Sequence, residues 1–251
     1  MAIAIRSIKE IESIANASVL VDKALKKVQS YAVAGISLNE LDKIADDFIR
    51  SCGALPSFKG LYGFPKSICL SVNEVIIHGI PNDYVLKNGD ILGVDIGVNY
   101  KGWYGDAAVT FAIGRTSDDN LKLIDCSHSV LMQAIENIKV GMRFRELSAL
   151  LSDLISVRNF VPLRGFCGHG IGANPHEEPE IPNFIDGDIM KGPKIRNGMV
   201  FCIEPMICFK SGEPRVLNDN WSVISQDGLN GSHHEHTIAI INNKAIVLSR
   251  E

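Results

Sequence analysis

The sequence predicts an α+β fold built from two related halves, at about residues 1–115 and 116–251, that share one curved, mainly antiparallel sheet. Three observations predict it: a pair of helices opens each half, one strand motif occurs in both halves, and acidic and histidine residues recur inside apolar or glycine-rich stretches. Helices would cover one face of the sheet and leave the other open. No linker rich in proline, serine or charge separates the halves, so residues 1–251 are expected to form one domain.

The composition limits the class of protein. Of the 251 residues, 46% are hydrophobic and 22% are charged, which is an ordinary globular balance. The net charge of −4 provides no basic field for nucleic acid. Six cysteines are scattered without a Cys-x-x-Cys pair, which favours a reducing cytoplasm over a disulfide framework. The N-terminus lacks a continuous apolar segment and no apolar run approaches ~18 residues, so neither a signal peptide nor a membrane helix is predicted.

The helices of the first half are predicted from their starts. Ser7 and Ser37 each begin a Ser-x-x-Glu capping box, in which serine and glutamate satisfy the first free N–H groups of a helix. The two helices are expected to run to about residue 34, before Gly35, and to about residue 52. The second helix pair is expected at residues 118–139 and 143–157, interrupted at Gly141.

The two halves repeat their sequence features in the same order. Segment 35–41, between the first two helices, matches segment 141–147 in kind. Later in each half an Asn-Gly dipeptide leads through apolar residues to an acid, which is Asp95 in the first half and Glu204 in the second. Two matches in the same order are harder to attribute to chance than either match alone. The sequence therefore predicts pseudo-symmetry, with Asp95 and Glu204 in equivalent places.

Two acids lie in a predicted β-hairpin formed by residues 91–100 and 103–111. A turn centred on residues 100 and 101 would place Asp95 directly opposite Asp106, whereas a turn centred on residues 101 and 102 would place them diagonally. In both registers the carboxylates share one face within roughly 4.5–8 Å. Carboxylates that close repel each other unless a cation lies between them. The alternative of two solvated acids is less favoured, because aspartate is depleted in strands.

Three further residues complete a set of metal-ligand type. His169 lies in the glycine-rich segment GHGIGANPHEEP, Glu204 in VFCIEPMI, and Glu235 at the start of a strand in HHEHTIAII. A carboxylate among apolar neighbours needs a partner, because the burial of an unpaired charge is too costly. With Asp95 and Asp106 these residues supply enough hard donors for two divalent ions. The five residues therefore predict a dinuclear site on the open face of the sheet and point to hydrolysis.

Two other histidines accompany this set. His78 ends the segment SVNEVIIHGIP, and His176 lies in the glycine-rich segment. A lone histidine at a strand end is more often structural, and a glycine-rich loop can simply carry surface histidines, so each has a plain alternative. By strand alternation His236 points away from Glu235 and is not expected to be a ligand. The acids that follow His176 in the loop are expected to be solvated: Glu177, Glu178 and Glu180.

Taken together, these motifs resemble those of the bacterial class I methionine aminopeptidases. The resemblance covers nearly the whole chain and is carried by PKSICLSVNEVIIHGIP, the hairpin of Asp95 and Asp106, GHGIG followed by PHEEP, IEPM and EHT. No single motif is specific, but their combination and spacing are. The resemblance implies a pseudo-symmetric "pita-bread" fold and a catalytic domain that removes N-terminal methionine from peptides and nascent proteins when the second residue is small.

The resemblance also implies roles for individual residues. The ligand pattern of the family falls on the five residues above, with Asp106 and Glu235 bridging two divalent ions, which could be Co, Mn, Fe, Zn or Ni. Glu204 would also move a proton from water to the leaving amine, His176 would stabilise the oxyanion, and His78 would hold the scissile amide. An apolar methionine pocket is implied, of which Trp221 could equally belong to the core. Its expected wall residues are Tyr62, Phe64, Cys69 and Trp221.

Several positions depart from the family pattern. Gly97 stands where threonine or serine is usual, so a hydroxyl contact to the site is expected to be missing. His233 and His234 precede Glu235 where glutamine and an aromatic residue are common. Tyr62 stands where some relatives carry histidine. These departures bear on substrate contacts and metal preference rather than on the reaction.

The implied partners are nascent polypeptide N-termini, with the ribosome exit as one place to meet them, and neither nucleic acid nor membrane is required. A cytoplasmic monomer is the default expectation. A proline-directed peptidase of the same fold, such as a prolidase, is one alternative. Those relatives usually carry an extra N-terminal domain, whereas here a helix of the repeat starts near residue 8. A non-catalytic binding protein of this fold is the other alternative, but it should have lost ligands that this chain keeps.

Overall fold

The helices begin where their caps predict. A computed structural model describes residues 2–185 and 187–250 of the chain. Ser7 and Ser37 both close their capping boxes. The first helix ends at Tyr31, earlier than predicted, because the following residues turn so that the N–H of Gly35 donates to Leu86 O at 2.8 Å. The four α-helices in these ranges are α1 (Ile8–Tyr31), α2 (Leu38–Ser51), α3 (Asp118–Asn137) and α4 (Phe144–Ser156).

The strands form one large antiparallel sheet and two small ones. Fifteen strands occur in the described ranges: β1 (Leu55–Pro56), β2 (Cys69–Val72), β3 (Val75–Ile77), β4 (Ile91–Tyr100), β5 (Trp103–Ala112), β6 (Val161–Pro162), β7 (Cys167–Gly170), β8 (Glu177–Pro182), β9 (Val200–Ile203), β10 (Met206–Cys208), β11 (Pro214–Val216), β12 (Val223–Ser225), β13 (Gly231–His233), β14 (Glu235–Ile241) and β15 (Lys244–Val247). The large sheet has the order β1-β4-β5-β14-β9-β7-β8, with β2 also on β4 and β15 also on β14. The small sheets are β13-β10-β6 and β11-β12-β3.

The two halves repeat their backbone contacts, which confirms the predicted pseudo-symmetry. Gly35 N–H donates to Leu86 O at 2.8 Å, and Gly141 N–H donates to Ile195 O at 2.9 Å. The return bonds from Leu86 and Ile195 go to the carbonyls of residues 36 and 142, at 2.9 and 2.7 Å. Both glycines have a positive φ, 101° and 92°, which residues with a side chain rarely adopt. The connection between each helix pair is therefore anchored in the same way.

Alternation in the long strands separates the core from the site. Leu92, Val94 and Ile96 of β4 are fully buried and pack with Leu41 and Ile49 of α2. Each such side chain contributes about 1.5–3 kcal/mol when it is removed from water. The odd-numbered residues of β4 consequently face the opposite side of the sheet, away from these helices.

The second half has the same construction. Phe201 and Ile203 of β9 pack with Leu147 and Leu151 of α4, and Phe201 meets Phe144 edge to face at 5.1 Å between ring centroids. Because β5 and β14 are hydrogen-bonded neighbours, strands of both halves share the large sheet. This supports the proposed one-domain organisation. Within the described ranges, no helix has the length and apolar character that crossing a membrane requires.

Candidate metal centre and substrate cavity

The β4–β5 hairpin settles the relative position of its two acids. Asp95 pairs with Ala108, and Asp106 pairs with Gly97, so the diagonal register is the one adopted. The turn is centred on residues 101 and 102, which have φ of 54° and 84°, as a type I′ turn requires. Both carboxylates therefore lie on the same face of the hairpin, opposite to the helices.

Glu235 joins them from the neighbouring strand. It pairs with Ala108 of β5, so Ala108 lies between Asp95 and Glu235 in one row across three strands. The small side chain of Ala108 leaves the space above it to the acids. Carboxylate oxygens of Asp95, Asp106 and Glu235 all lie within 4.8 Å of one another. That spacing matches a cluster of ligands around a cation.

His169 and Glu204 approach from the second half. His169 Nε2 lies 3.5 Å from Glu204 Oε1 and 3.9 Å from Glu235 Oε1. The other ring nitrogen lies 3.0 Å from the carbonyl of Gly170, which accepts a hydrogen bond if Nδ1 carries the proton. Nε2 then presents its lone pair to the acids. Burial, and to a lesser degree His176, lowers the pKa of His169 to about 3, so the imidazole is neutral, as a metal ligand must be.

The carboxylates carry the electrostatic signature of a cation site. Burial raises the pKa of Asp95 to about 7, and burial together with neighbouring carboxylates holds the pKa values of Asp106, Glu204 and Glu235 well above their usual range. Among the buried oxygens that accept no hydrogen bond in the described chain, three belong to these acids: Asp95 Oδ1, Asp106 Oδ1 and Glu235 Oε1. Divalent ions would give these atoms partners and offset their repulsion, so the donor set fits such ions.

All the predicted site residues line one cavity of about 490 Å³. At its apolar side, Phe64 and Trp221 meet edge to face at 5.1 Å between ring centroids. Trp221 is therefore a wall residue rather than part of the main core. The predicted residues on the cavity are Tyr62, Phe64, Cys69, His78, Asp95, Asp106, His169, His176, Glu204, Trp221 and Glu235. Sequence reasoning missed other lining residues, among them Phe58, Leu61, Ile77 and Phe166.

The two accompanying histidines face the cavity from different supports. His78 has φ of 58°, and its ring meets Phe166 and Trp221 edge to face at 5.5 and 6.4 Å. His176 lies between two rings, 4.5 Å from His169 and 6.0 Å from Tyr62, which stacks on it nearly parallel. Burial lowers the pKa of His78 to about 4 and also lowers that of His176. Neutral imidazoles can each donate one hydrogen bond and accept one.

The structure explains the departure at Gly97. A Cβ there would overlap Ser57 Oγ and would lie 2.6 Å from the ring of Phe58. The volume of the usual hydroxyl side chain is thus occupied by a serine from the segment after β1. A hydroxyl is present close to this position, although it comes from another part of the chain.

His233 lies beside the site, although the sequence singled it out only as a departure from the family pattern and gave it no role. It is buried, and its Nε2 lies 3.7 Å from Glu204 Oε2 without a hydrogen-bond partner among the described residues. Thr110 fixes its backbone, because the threonine Oγ1 donates to His233 O at 2.8 Å and accepts from His233 N at 3.0 Å. The two-residue spacing from Glu235 was a signal, but the strand is broken at His234, which hid the alternation.

Cys202 was also missed. Its thiol lies with ligand atoms of His169 and Glu235 within a 4.8 Å cluster. Two-residue spacing from Glu204 was the available signal. Burial raises the pKa of the Cys202 thiol well above its ordinary value, which keeps the thiol protonated in the absence of ions.

His236 points away from the acids, as strand alternation predicted. Its Nδ1 lies 2.9 Å from Ser249 Oγ.

The prediction for one acid of the loop was wrong. Glu177 is not solvated: only 13% of its side chain is exposed, and it forms an ion pair with Arg6. Its Oε1 also accepts hydrogen bonds from the N–H groups of Ala173 and Asn174, at 2.9 and 3.0 Å. The physical reason is that the N-terminal segment returns to this loop, which local sequence does not reveal. The other two acids, Glu178 and Glu180, are exposed as predicted.

Comparison with known proteins agrees with this geometry. The profile of Metallopeptidase family M24 matches residues 12–242. A methionine aminopeptidase of Helicobacter pylori is 58% identical over 99% of both chains. One of Clostridium perfringens is 40% identical over 98% of both. The crystal structure of a methionine aminopeptidase from Thermotoga maritima superposes with a TM-score of 0.96 at 36% identity and covers 100% of both chains.

Proposed function

The chain belongs to metallopeptidase family M24, and from that premise we propose that it is a methionine aminopeptidase. It would hydrolyse the bond after an N-terminal methionine in peptides and nascent proteins whose second residue is small. One observation carries the proposal: a cluster of buried acids with unpaired oxygens forms the floor of a cavity whose side is apolar. Buried acids at the floor can hold the metal ions that activate water for hydrolysis, and an apolar wall can accommodate a methionine side chain.

Five residues would hold the ions. Asp95, Asp106, His169, Glu204 and Glu235 are the proposed ligands and would together hold two divalent ions, to both of which Asp106 and Glu235 would contribute. The pairing of both halves around Ala108 supports a shared site, because it sets acids of β4, β5 and β14 side by side. When bound, such ions supply a water of lowered pKa and polarise the carbonyl that is attacked. Carboxylate and imidazole donors suit Co, Mn, Fe, Zn or Ni, among which availability would decide.

The chain itself would carry the proton transfers. A carboxylate oxygen of Glu204 would take a proton from the attacking water and deliver it to the leaving amine. His176, neutral because burial lowers its pKa, would donate its ring N–H to the oxyanion of the tetrahedral intermediate. His78 would hold the scissile amide, and its contacts with Phe166 and Trp221 support a fixed ring position.

The cavity wall would select methionine. Phe64, Cys69 and Trp221 are the proposed inner wall, and Tyr62 is the proposed outer contact, since 76% of its surface is exposed. Aromatic rings make favourable contacts with a thioether sulfur. The walls around the second residue of the substrate would leave room only for small side chains.

The setting of the enzyme is also a proposal. All six cysteines are free, which supports a reducing cytoplasm. We propose that the protein acts as a monomer on nascent polypeptide N-termini, including those at the ribosome exit. Neither nucleic acid nor a membrane is required for the reaction as proposed.

The deciding experiment is a peptide panel. Met-Xaa-Ser peptides, with Xaa as Ala, Gly, Ser, Pro, Leu or Lys, would be assayed with each of the five metals beside Ala-Pro-Ser and the dipeptide Ala-Pro. We expect fast release of methionine from Met-Ala-Ser and little from Met-Leu-Ser or Met-Lys-Ser. Cleavage confined to bonds before proline, whatever the first residue, would indicate a proline-directed peptidase instead. Metal binding without any cleavage would indicate a binding protein.

A further inference from the structure

The N-terminal segment is docked against the loop that carries His176. The backbone N–H of Arg6 donates to Gly198 O at 2.7 Å, which attaches the segment before α1 to the turn that precedes β9. The guanidinium lies over the ring of Trp103, 5.4 Å from its centroid, and only 12% of the side chain is exposed. A Cβ on Gly172 would lie 2.7 Å from Arg6 Nη2, so the guanidinium uses space that a glycine leaves open.

The partner of this guanidinium is Glu177. Its Oε2 pairs with Arg6 Nη2, while its Oε1 accepts the N–H groups of Ala173 and Asn174. One carboxylate, at the start of β8, thus joins the N-terminal segment to residues 173 and 174 of the loop that carries His176. Glu10 lies 3.7 Å from Arg6 as a second, more exposed acid. This guanidinium–carboxylate pair is largely buried, so solvent and salt screen it little, and the ring of Trp103 also contacts the guanidinium.

This pair lies where it can orient His176. Glu177 is the first residue of β8, and His176 is the last residue of the loop before it. The β7–β8 ladder is irregular here, with a register shift between His169 and Gly170. Glu177 pairs with Gly170 at the end of this ladder, and residues 173–176 lie beyond it, so strand pairing does not hold the loop itself. The ion pair and the hydrogen bonds of Glu177 supply a fixed point directly beside the imidazole.

We propose that Arg6 is a positioning residue for the reaction, which acts through Glu177 to hold the His176 ring over the cavity floor. This inference rests on the proposed function, because a positioning role needs a reaction to act on. A substrate oxyanion is stabilised only by a donor aimed at it, and a small displacement of the donor lowers the rate. The metal ligands are not part of this contact, so metal binding should not depend on it.

The test compares Arg6→Met with Lys9→Met, which removes an exposed positive charge from the first turn of α1, three residues further along the chain. With Met-Ala-Ser as substrate, Arg6→Met should lower kcat about tenfold and change KM by less than about twofold. Metal content should equal that of the wild type. Lys9→Met should behave as the wild type.

The same substitution is then made in a His176→Ala protein. If Arg6 acts through His176, Arg6→Met should cause no further loss of kcat in that background, because the donor it positions is absent. A tenfold loss in both backgrounds would mean a general structural effect and would overturn the proposal. An unchanged kcat of the single variant would overturn it as well. If Arg6→Met does not fold, Arg6→Lys keeps the charge without the planar guanidinium and should show a smaller loss with the same dependence on His176.

A second measurement does not use activity. Amide hydrogen exchange of residues 173–177 in the metal-loaded protein should be faster in Arg6→Met than in the wild type, and unchanged in Lys9→Met. Equal exchange rates in all three proteins would count against this proposal alone. A wild type that shows the slow exchange but releases no methionine from any peptide would count against the proposed function instead.

Discussion

Asp95 and Asp106 face each other diagonally across the β4–β5 ladder, the first paired with Ala108 and the second with Gly97. The residues directly opposite the two acids are thus the smallest available, and neither blocks the other carboxylate. Space for cations is left between acids of two adjacent strands, and Glu235 closes it from β14.

Removal of a bridging ligand should remove metal and activity together. In Asp106→Ala or Glu235→Ala, the remaining donors no longer surround two ions, so both metal content and methionine release should fall to background. Elemental analysis after gel filtration measures the first, and the Met-Ala-Ser assay measures the second. Glu180→Gln, which changes an exposed acid of the same cavity, should retain both. A Glu235→Ala protein with two ions and full turnover would contradict the assignment.

Removal of His176 should spare the metal. His176→Ala should lower kcat by roughly 10²–10³, the loss typical of one oxyanion donor, because the imidazole acts on the transition state. Metal content should stay near that of the wild type. Should the variant fold normally but lose its ions, His176 would have to be counted among the ligands.

Metal binding near neutral pH should release protons. In the metal-free protein, burial raises the pKa of Asp95 from 3.8 to about 7, whereas ions bind only ionised carboxylates. Apparent metal affinity should therefore weaken as pH falls from 8 to 6. Titration calorimetry in two buffers of different ionisation enthalpy measures the proton count, which Asp95→Asn should reduce. The same heat in both buffers would argue against this coupling.

The raised pKa also affects the stability of the metal-free protein. The folded state binds a proton on Asp95 more tightly than the unfolded state does. The contribution of this protonation to the free energy of unfolding is therefore lost as pH rises from 3.8 toward 7. Added metal should restore stability at the upper end of this range. Thermal unfolding with and without metal at pH 5 and pH 8 checks it: the stabilisation by metal should be larger at pH 8, and an equal effect at both would contradict it.

Packing of the hairpin against α1 depends on one glycine. A Cβ at Gly105 would lie 2.6 Å from the backbone nitrogen of Ser18 and 2.7 Å from its Cα, so the helix would have to move. Gly105→Ala should lower the free energy of unfolding by about 1–3 kcal/mol. At Gly93 the nearest atoms are 3.5 Å away, so Gly93→Ala is the matched control and should be tolerated. Urea unfolding of both variants decides, and equal midpoints would refute the argument.

Local chemistry made part of the structure predictable. The helix starts at Ser7 and Ser37 follow from contacts within four residues, which the sequence displays directly. The hairpin was predictable but its register was not, because a turn at residues 101 and 102 requires a positive φ at Lys101, which a residue with a side chain rarely adopts. The tertiary pairing of the strands decided that question.

Contacts between distant segments were beyond sequence reasoning. Arg6 and Glu177 are 171 positions apart, and the sequence around either residue does not indicate that they form an ion pair. His233 was hidden in a different way, because an interrupted strand makes the two-residue period unreliable. The acidic ligands could be predicted from local sequence, because an acid within an apolar strand is unusual and needs a partner.

The secondary structure on which each site residue lies also bears on inhibitor selectivity. Asp95, Asp106 and Glu235 lie on paired strands, whereas Tyr62 lies in a single 3₁₀ turn (Leu61–Gly63) and His176 lies in a loop. A compound that only chelates at the floor meets geometry that any relative with the same ligand set would share. A compound that extends to Tyr62 meets a residue whose identity and backbone support can vary independently of the floor. Discrimination between related enzymes should therefore be sought at the rim of the cavity.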